Sequence, residues 1–145
     1  MIIEKSGVSK GLQYVVAIKE TLGFRMGYVA VPVNLAISLQ ENDLDCHGGL
    51  TYMGENNGYP VSTSDDIKWI GFDCGHCGDA PDIDFTRKLL KDENLGESVR
   101  QTLELQIQMW SGFADANDTV KDVEYVENEC KSLIKQVNKL TKKYI

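Results

Sequence analysis

The sequence predicts an α+β fold, in which a small antiparallel sheet from the N-terminal half is covered by helices from the C-terminal half. Three observations predict it. β-Branched and aromatic runs crowd the first half, at Leu12–Ile18, Gly27–Val33 and Ile67–Phe72. Charged segments with helical spacing fill the second half. The change of character falls near residue 85 of a 145-residue chain, a length that suits one domain. Sheet and site loops then occupy about residues 10–84 and the helical part about 85–145.

The elements follow in order. Leu12 to Ile18 reads as a strand, Thr21 to Phe24 as a turn, and Gly27 to Val33 as a second strand ending at Pro32. The two make an antiparallel hairpin. A short helix is predicted within Asn34–Leu44 and a short strand over Leu50–Met53. Gly54 to Asp66, with Gly58, Pro60 and three hydroxyl residues, is a surface loop. Ile67 to Phe72 is the next strand, and a glycine-rich loop runs from Asp73 to Asp84. Val99, Leu103 and Ile107 carry helical spacing, with Gly96 as the break before them and Gly112–Asp118 as a linker. In the last helix Val123, Val126, Cys130, Leu133, Val137 and Leu140 form one apolar stripe, a surface for oligomerisation. Asp118 or Thr119 is its expected cap. Lys139, Lys142 and Lys143 suit the negative pole of its dipole.

Composition narrows the function. The chain is 42% hydrophobic and 26% charged, too balanced for a disordered segment. Its net charge of −7 argues against a nucleic-acid polymer as partner. A small anion stays compatible, because a local nest of N–H groups can outweigh a modest global charge. The opening residues lack the pattern of a signal peptide, and no apolar run approaches membrane-spanning length. The cytoplasm is the expected compartment, with the four cysteines reduced.

The only two histidines sit in glycine-rich motifs, Cys46-His47-Gly48-Gly49-Leu50-Thr51-Tyr52 and Trp69 through Asp79. Cys74-Gly75-His76-Cys77 has redox spacing, but the glycines and Pro81 after it are poor material for the helix such a site needs. Zinc would draw on Cys46, His47, Cys74, His76 and Cys77, yet only Cys74 and Cys77 have ligand spacing. No metal and no cofactor are expected. His47 and His76 could act as base and acid, with Asp73 or Asp79 fixing a tautomer. Their bland role is to bond loop backbone, with Asp73 capping a turn. Trp69 and Phe72 face opposite sides of a strand, so at least one belongs to the core.

These motifs, with Gly27-Tyr-Val-Ala-Val-Pro32 and Tyr125-Val-Glu-Asn-Glu-Cys130, resemble a family of small phage and prophage proteins. The resemblance covers roughly residues 25 to 80 and the last helix, through the HGGLTY and WIGFDCxHxGD motifs. Against it, Phe85–Asp118 looks like an insertion. Asn34-Leu35 stands near the point where many relatives carry His-Pro, and Cys77 where they often carry a small apolar residue. By analogy the resemblance implies an immune-evasion protein in the host bacterial cytoplasm, acting on a nucleotide-derived signal.

Three functions follow as expectations. The first is sequestration of a cyclic ADP-ribose variant or cyclic dinucleotide, by a homo-oligomer. The N–H groups of Gly48, Gly49, Gly75 and Gly78 would hold phosphates. Tyr52 or Trp69 would stack on a base, and Asp73 or Asp79 would take ribose hydroxyls. His47, Thr51, Gly71, Phe72 and His76 complete the ligand-binding set. The second is a phosphodiesterase-like or glycosidic-bond hydrolase, with His47, His76, Asp73 and Asp79 catalytic. The third is an inhibitor that presents the acidic helical half to a host defence protein.

Overall fold

A computed structural model describes residues 1–40, 43–113 and 117–143. Four antiparallel strands lie in the order β1 (Ile2–Ser9), β2 (Leu12–Lys19), β3 (Phe24–Pro32) and β4 (Ile67–Asp73). The α+β architecture is as the sequence predicts. β1 is an addition, its residues too mixed in polarity to signal a strand. It is the outer strand, with a register shift between Ile3 and Lys5 and many exposed positions. Lys10 and Gly11 join β1 to β2, both at positive φ, as a two-residue hairpin turn demands.

Alternation along the strands makes two cores. Val16, Val29, Val31, Ile70 and Phe72 face one side. Val15, Ala17, Tyr28, Ala30 and Trp69 face the other. α4 (Val123–Lys143) covers the first side. Its residues Val126, Cys130, Leu133, Ile134 and Val137 are fully buried, each large aliphatic contributing about 1.5–3 kcal/mol. The stripe read as an oligomerisation surface is therefore spent inside the monomer, because the sheet needs a cover. On the second side Tyr52 and Val61 pack over the sheet from the segment before β4. Trp69 Nε1 donates to the Val61 carbonyl at 2.9 Å. The predicted strand at Leu50–Met53 shrinks to one bridge, Tyr52 to Gly71.

The predicted helix in 34–44 is the six-residue α1 (Val33–Ser38), with 41–42 outside the described residues. α2 (Ile83–Leu89) and α3 (Glu97–Phe113) are separated near Gly96, as read. The predicted linker 112–118 falls partly outside the described residues, as does the side chain of Lys143. Thr119 does not cap α4, because it is already committed to a strand. β5 (Asp79–Ala80) pairs in parallel with β6 (Thr119–Val120). The cap is Asp122, whose carboxylate accepts from Tyr125 N at 2.8 Å.

Buried Arg25 locks this junction. It reaches Glu4 at 2.8 Å, Asp82 at 2.9 Å and the Lys121 carbonyl at 3.2 Å. One guanidinium thus joins the outer strand, the start of α2 and the entry to α4. No helix among the described residues is long and apolar enough to cross a membrane.

Candidate functional site

The two histidine motifs meet beside the end of β4 and the first turns of α4. Asp73 ends β4, and the next residues turn back at once. Asp73 Oδ1 accepts from Gly75 N at 3.0 Å, and Gly78 takes φ +91° before β5 begins. His47 arrives from the other segment through a turn in which Gly48 and Gly49 hold φ of +69° and +81°. A Cβ on Gly48 would lie 2.3 Å from His76 Cδ2, so the first motif needs glycine there for the second histidine to sit against it. The two imidazole centroids are 6.4 Å apart.

The histidines have different surroundings. His47 Nε2 is 2.8 Å from Asp79 Oδ2, and its Nδ1 is 2.8 Å from the Tyr125 hydroxyl. Tyr125 in turn donates to Glu129 Oε1 at 3.2 Å. A doubly protonated ring satisfies all three bonds at once, donating from both nitrogens. A neutral ring with its proton on Nε2 draws the Tyr125 O–H to Nδ1 and leaves Glu129 without that donor. Either way both nitrogens are engaged.

Asp79 is the hub. Its side chain is 1% exposed, and it accepts from His76 N at 3.0 Å and pairs with Lys121 Nζ at 3.0 Å. Burial pushes its pKa up, but His47, the His76 N–H and Lys121 together outweigh that and hold it below its ordinary 3.8. Tyr125 is pushed up to about 12, by burial first and then by Glu129, so it keeps its proton near neutrality.

His76 has no ring hydrogen bond among the described residues. Its Nε2 lies 3.1 Å from Asp73 Oδ1, with both side chains 38% exposed. Thr51 Oγ1 donates to the other Asp73 oxygen at 3.2 Å. His76, Asp73 and Thr51 are thus linked side by side at the surface, with Gly48 against the His76 ring.

Several expected site residues lie elsewhere or are already occupied. Trp69 and Phe72 are both core, on opposite faces, and Gly71 is buried under Tyr28. Tyr52 packs on Tyr28 across the sheet's second face, its hydroxyl donating to Asn56 O at 2.8 Å. The Gly49 N–H is spent on Cys46 O, and that of Gly75 on Asp73. Asp79 and His47 face inward, as supports. Burial pushes Cys74 and Cys46 up to about 12, while Cys77 is exposed, so the CxxC pair is split between core and surface. Among the described residues no three His, Cys, Asp or Glu side chains are placed to hold a metal ion.

The residues that sequence reasoning missed are Lys121, Tyr125 and Glu129. Part of the signal was available, since Tyr125 and Glu129 lie four apart on one side of the last helix, beside its apolar stripe, whereas Lys121 precedes the Asp122 cap and carries no helical spacing. The chain matches no protein-family model, no curated protein and no solved structure.

Proposed function

We propose that this protein is a binding module that sequesters a small nucleotide-derived signal on the open face around His76. One observation carries the reading: both ring nitrogens of His47 are engaged, whereas His76 is paired only through Nε2, with Asp73, and alone keeps a ring nitrogen open for a ligand. Acid–base cleavage by a histidine pair needs two such groups. Retention needs only donors and acceptors. His76 and the N–H groups of Gly48 and Gly78 suit phosphate oxygens, while Asp73 and Thr51 suit ribose hydroxyls. The resemblance of both motifs to small phage proteins supplies the ligand class, a cyclic ADP-ribose variant or cyclic dinucleotide. It also supplies the setting, immune evasion in a bacterial host's cytoplasm.

The hydrolase reading survives in a reduced form. His76 beside Asp73 could serve as a single base, with water as the nucleophile. One experiment separates the two. Purified protein is mixed with a panel of such cyclic nucleotides, and the soluble fraction is analysed before and after heat denaturation. Sequestration predicts depletion followed by release of the intact signal. A cleaved product would establish the hydrolase instead. No depletion of any nucleotide would overturn both and favour a protein partner.

A further inference from the structure

A concavity lies at the other end of α4 from the histidines. It measures about 510 Å³ and is lined by Lys10, Lys135, Asn138, Lys139, Thr141 and Lys142. Three of these lysines, at 135, 139 and 142, follow helical spacing and share one side of α4. Lys10 joins them from the β1–β2 turn, where it holds φ +47°, a region that most side chains avoid. Asn138 Nδ2 donates to the Lys10 carbonyl at 3.2 Å and pins the turn to the helix.

The charge pattern is unusual for this chain. Asp and Glu outnumber Lys and Arg by 22 to 15, but the residues that line this concavity include four lysines and no carboxylate. None of Lys10, Lys135, Lys139 and Lys142 forms an ion pair or a side-chain hydrogen bond among the described residues. The ion pairs go to Lys5, Arg25, Arg87, Lys121 and Lys131. Capping the helix dipole does not account for four cations, since the negative pole amounts to roughly half an elementary charge.

The geometry points to a second binding site, for a small polyanion carrying two or three linked phosphates. Lys135 and Lys142 are seven residues apart, about 10 Å along the helix, a span that fits such a chain of phosphates. Lys131, one turn earlier, is already paired with Glu127 at 3.9 Å, so the unpaired stretch is too short a basic track for a nucleic-acid backbone, whose single-module interfaces bury roughly 600–1,000 Å². The volume is in the range of pockets that hold nucleotide-sized ligands, about 300–1,000 Å³. This site does not depend on the histidine site, and a ligand at one leaves the other open.

Calorimetric titration of the full chain with inorganic tripolyphosphate tests the inference. Binding is expected at about 0.05 M salt and should fade towards 1 M, where screening shortens to roughly 3 Å. Lys135→Gln with Lys139→Gln should weaken it about tenfold. Lys88→Gln with Lys91→Gln, exposed positions on and just after α2, removes the same charge and should change affinity less than about twofold. His76→Ala should leave it unchanged. Absence of binding to the wild-type chain, or equal loss in both double variants, would overturn the site. So would tighter binding to duplex DNA or to anionic vesicles than to tripolyphosphate.

Discussion

His47 and His76 come from similar glycine-rich motifs and lie side by side, yet one is a strut and the other is free. The His47 ring is 16% exposed and holds Asp79 and Tyr125, whereas the His76 ring is 38% exposed and pairs only with Asp73 among polar side chains of the described residues. The difference teaches that a histidine's role is set by how many of its nitrogens the fold has already engaged. Residue type and motif leave that open.

Substitutions can break or sharpen this contrast. The largest effect belongs to the hub. Asp79→Asn should cost about 3 kcal/mol in chemical denaturation, because it leaves the Lys121 ammonium with only neutral oxygens for partners and weakens the His47 bond. His47→Ala should follow at about 2 kcal/mol, read the same way, since it empties two hydrogen bonds at once. Were it as mild as a surface change, the strut role would be wrong.

Gly48→Ala should cost about 1–2 kcal/mol for its positive φ, and more in ligand affinity, because the new methyl displaces His76. Nucleotide-binding assays beside a melt would separate the two losses. His76→Ala should leave stability within about 0.5 kcal/mol while abolishing retention of the signal.

Acid should act through the strut side. The Asp79 carboxyl is held below its ordinary value in the folded state, and so is that of Glu127, chiefly by the Tyr14 hydrogen bond and then by Lys5. A depressed carboxyl stabilises the fold above its unfolded pKa and loses that contribution as pH falls through the folded value. The denaturation midpoint should therefore hold from neutrality to about pH 5 and fall below about pH 4. In Asp79→Asn the fall should be shallower.

Much of this was legible beforehand. The β2–β3 hairpin, β4, the α2–α3 break and the α4 stripe all follow from periodicity, which is a local property. The motif that places His47 against His76 was visible too. What stayed hidden was non-local. β1 shows as a strand only once β2 offers it a partner. Thr119 reads as a helix cap until Asp79 takes it into a ladder. Asp79 reads as a ligand residue until Lys121 and His47 reach it from distant segments. Trp69 reads as a stacking platform until the loop before β4 folds over it and Val61 takes its N–H. Long-range partners decided each case.

The two-residue ladder of β5 and β6 has a consequence for the chain between them. Asp79 pairs with Thr119, so the excursion that holds α2 and α3 leaves and returns through adjacent points, with Arg25 clasping its base at Asp82 and Lys121. Closing a loop costs only about 0.6 kcal/mol more for each doubling of its length. A change in the length of the excursion should therefore cost little in closure entropy, with Asp79 and Lys121 kept in position around His47 by the ladder at its base.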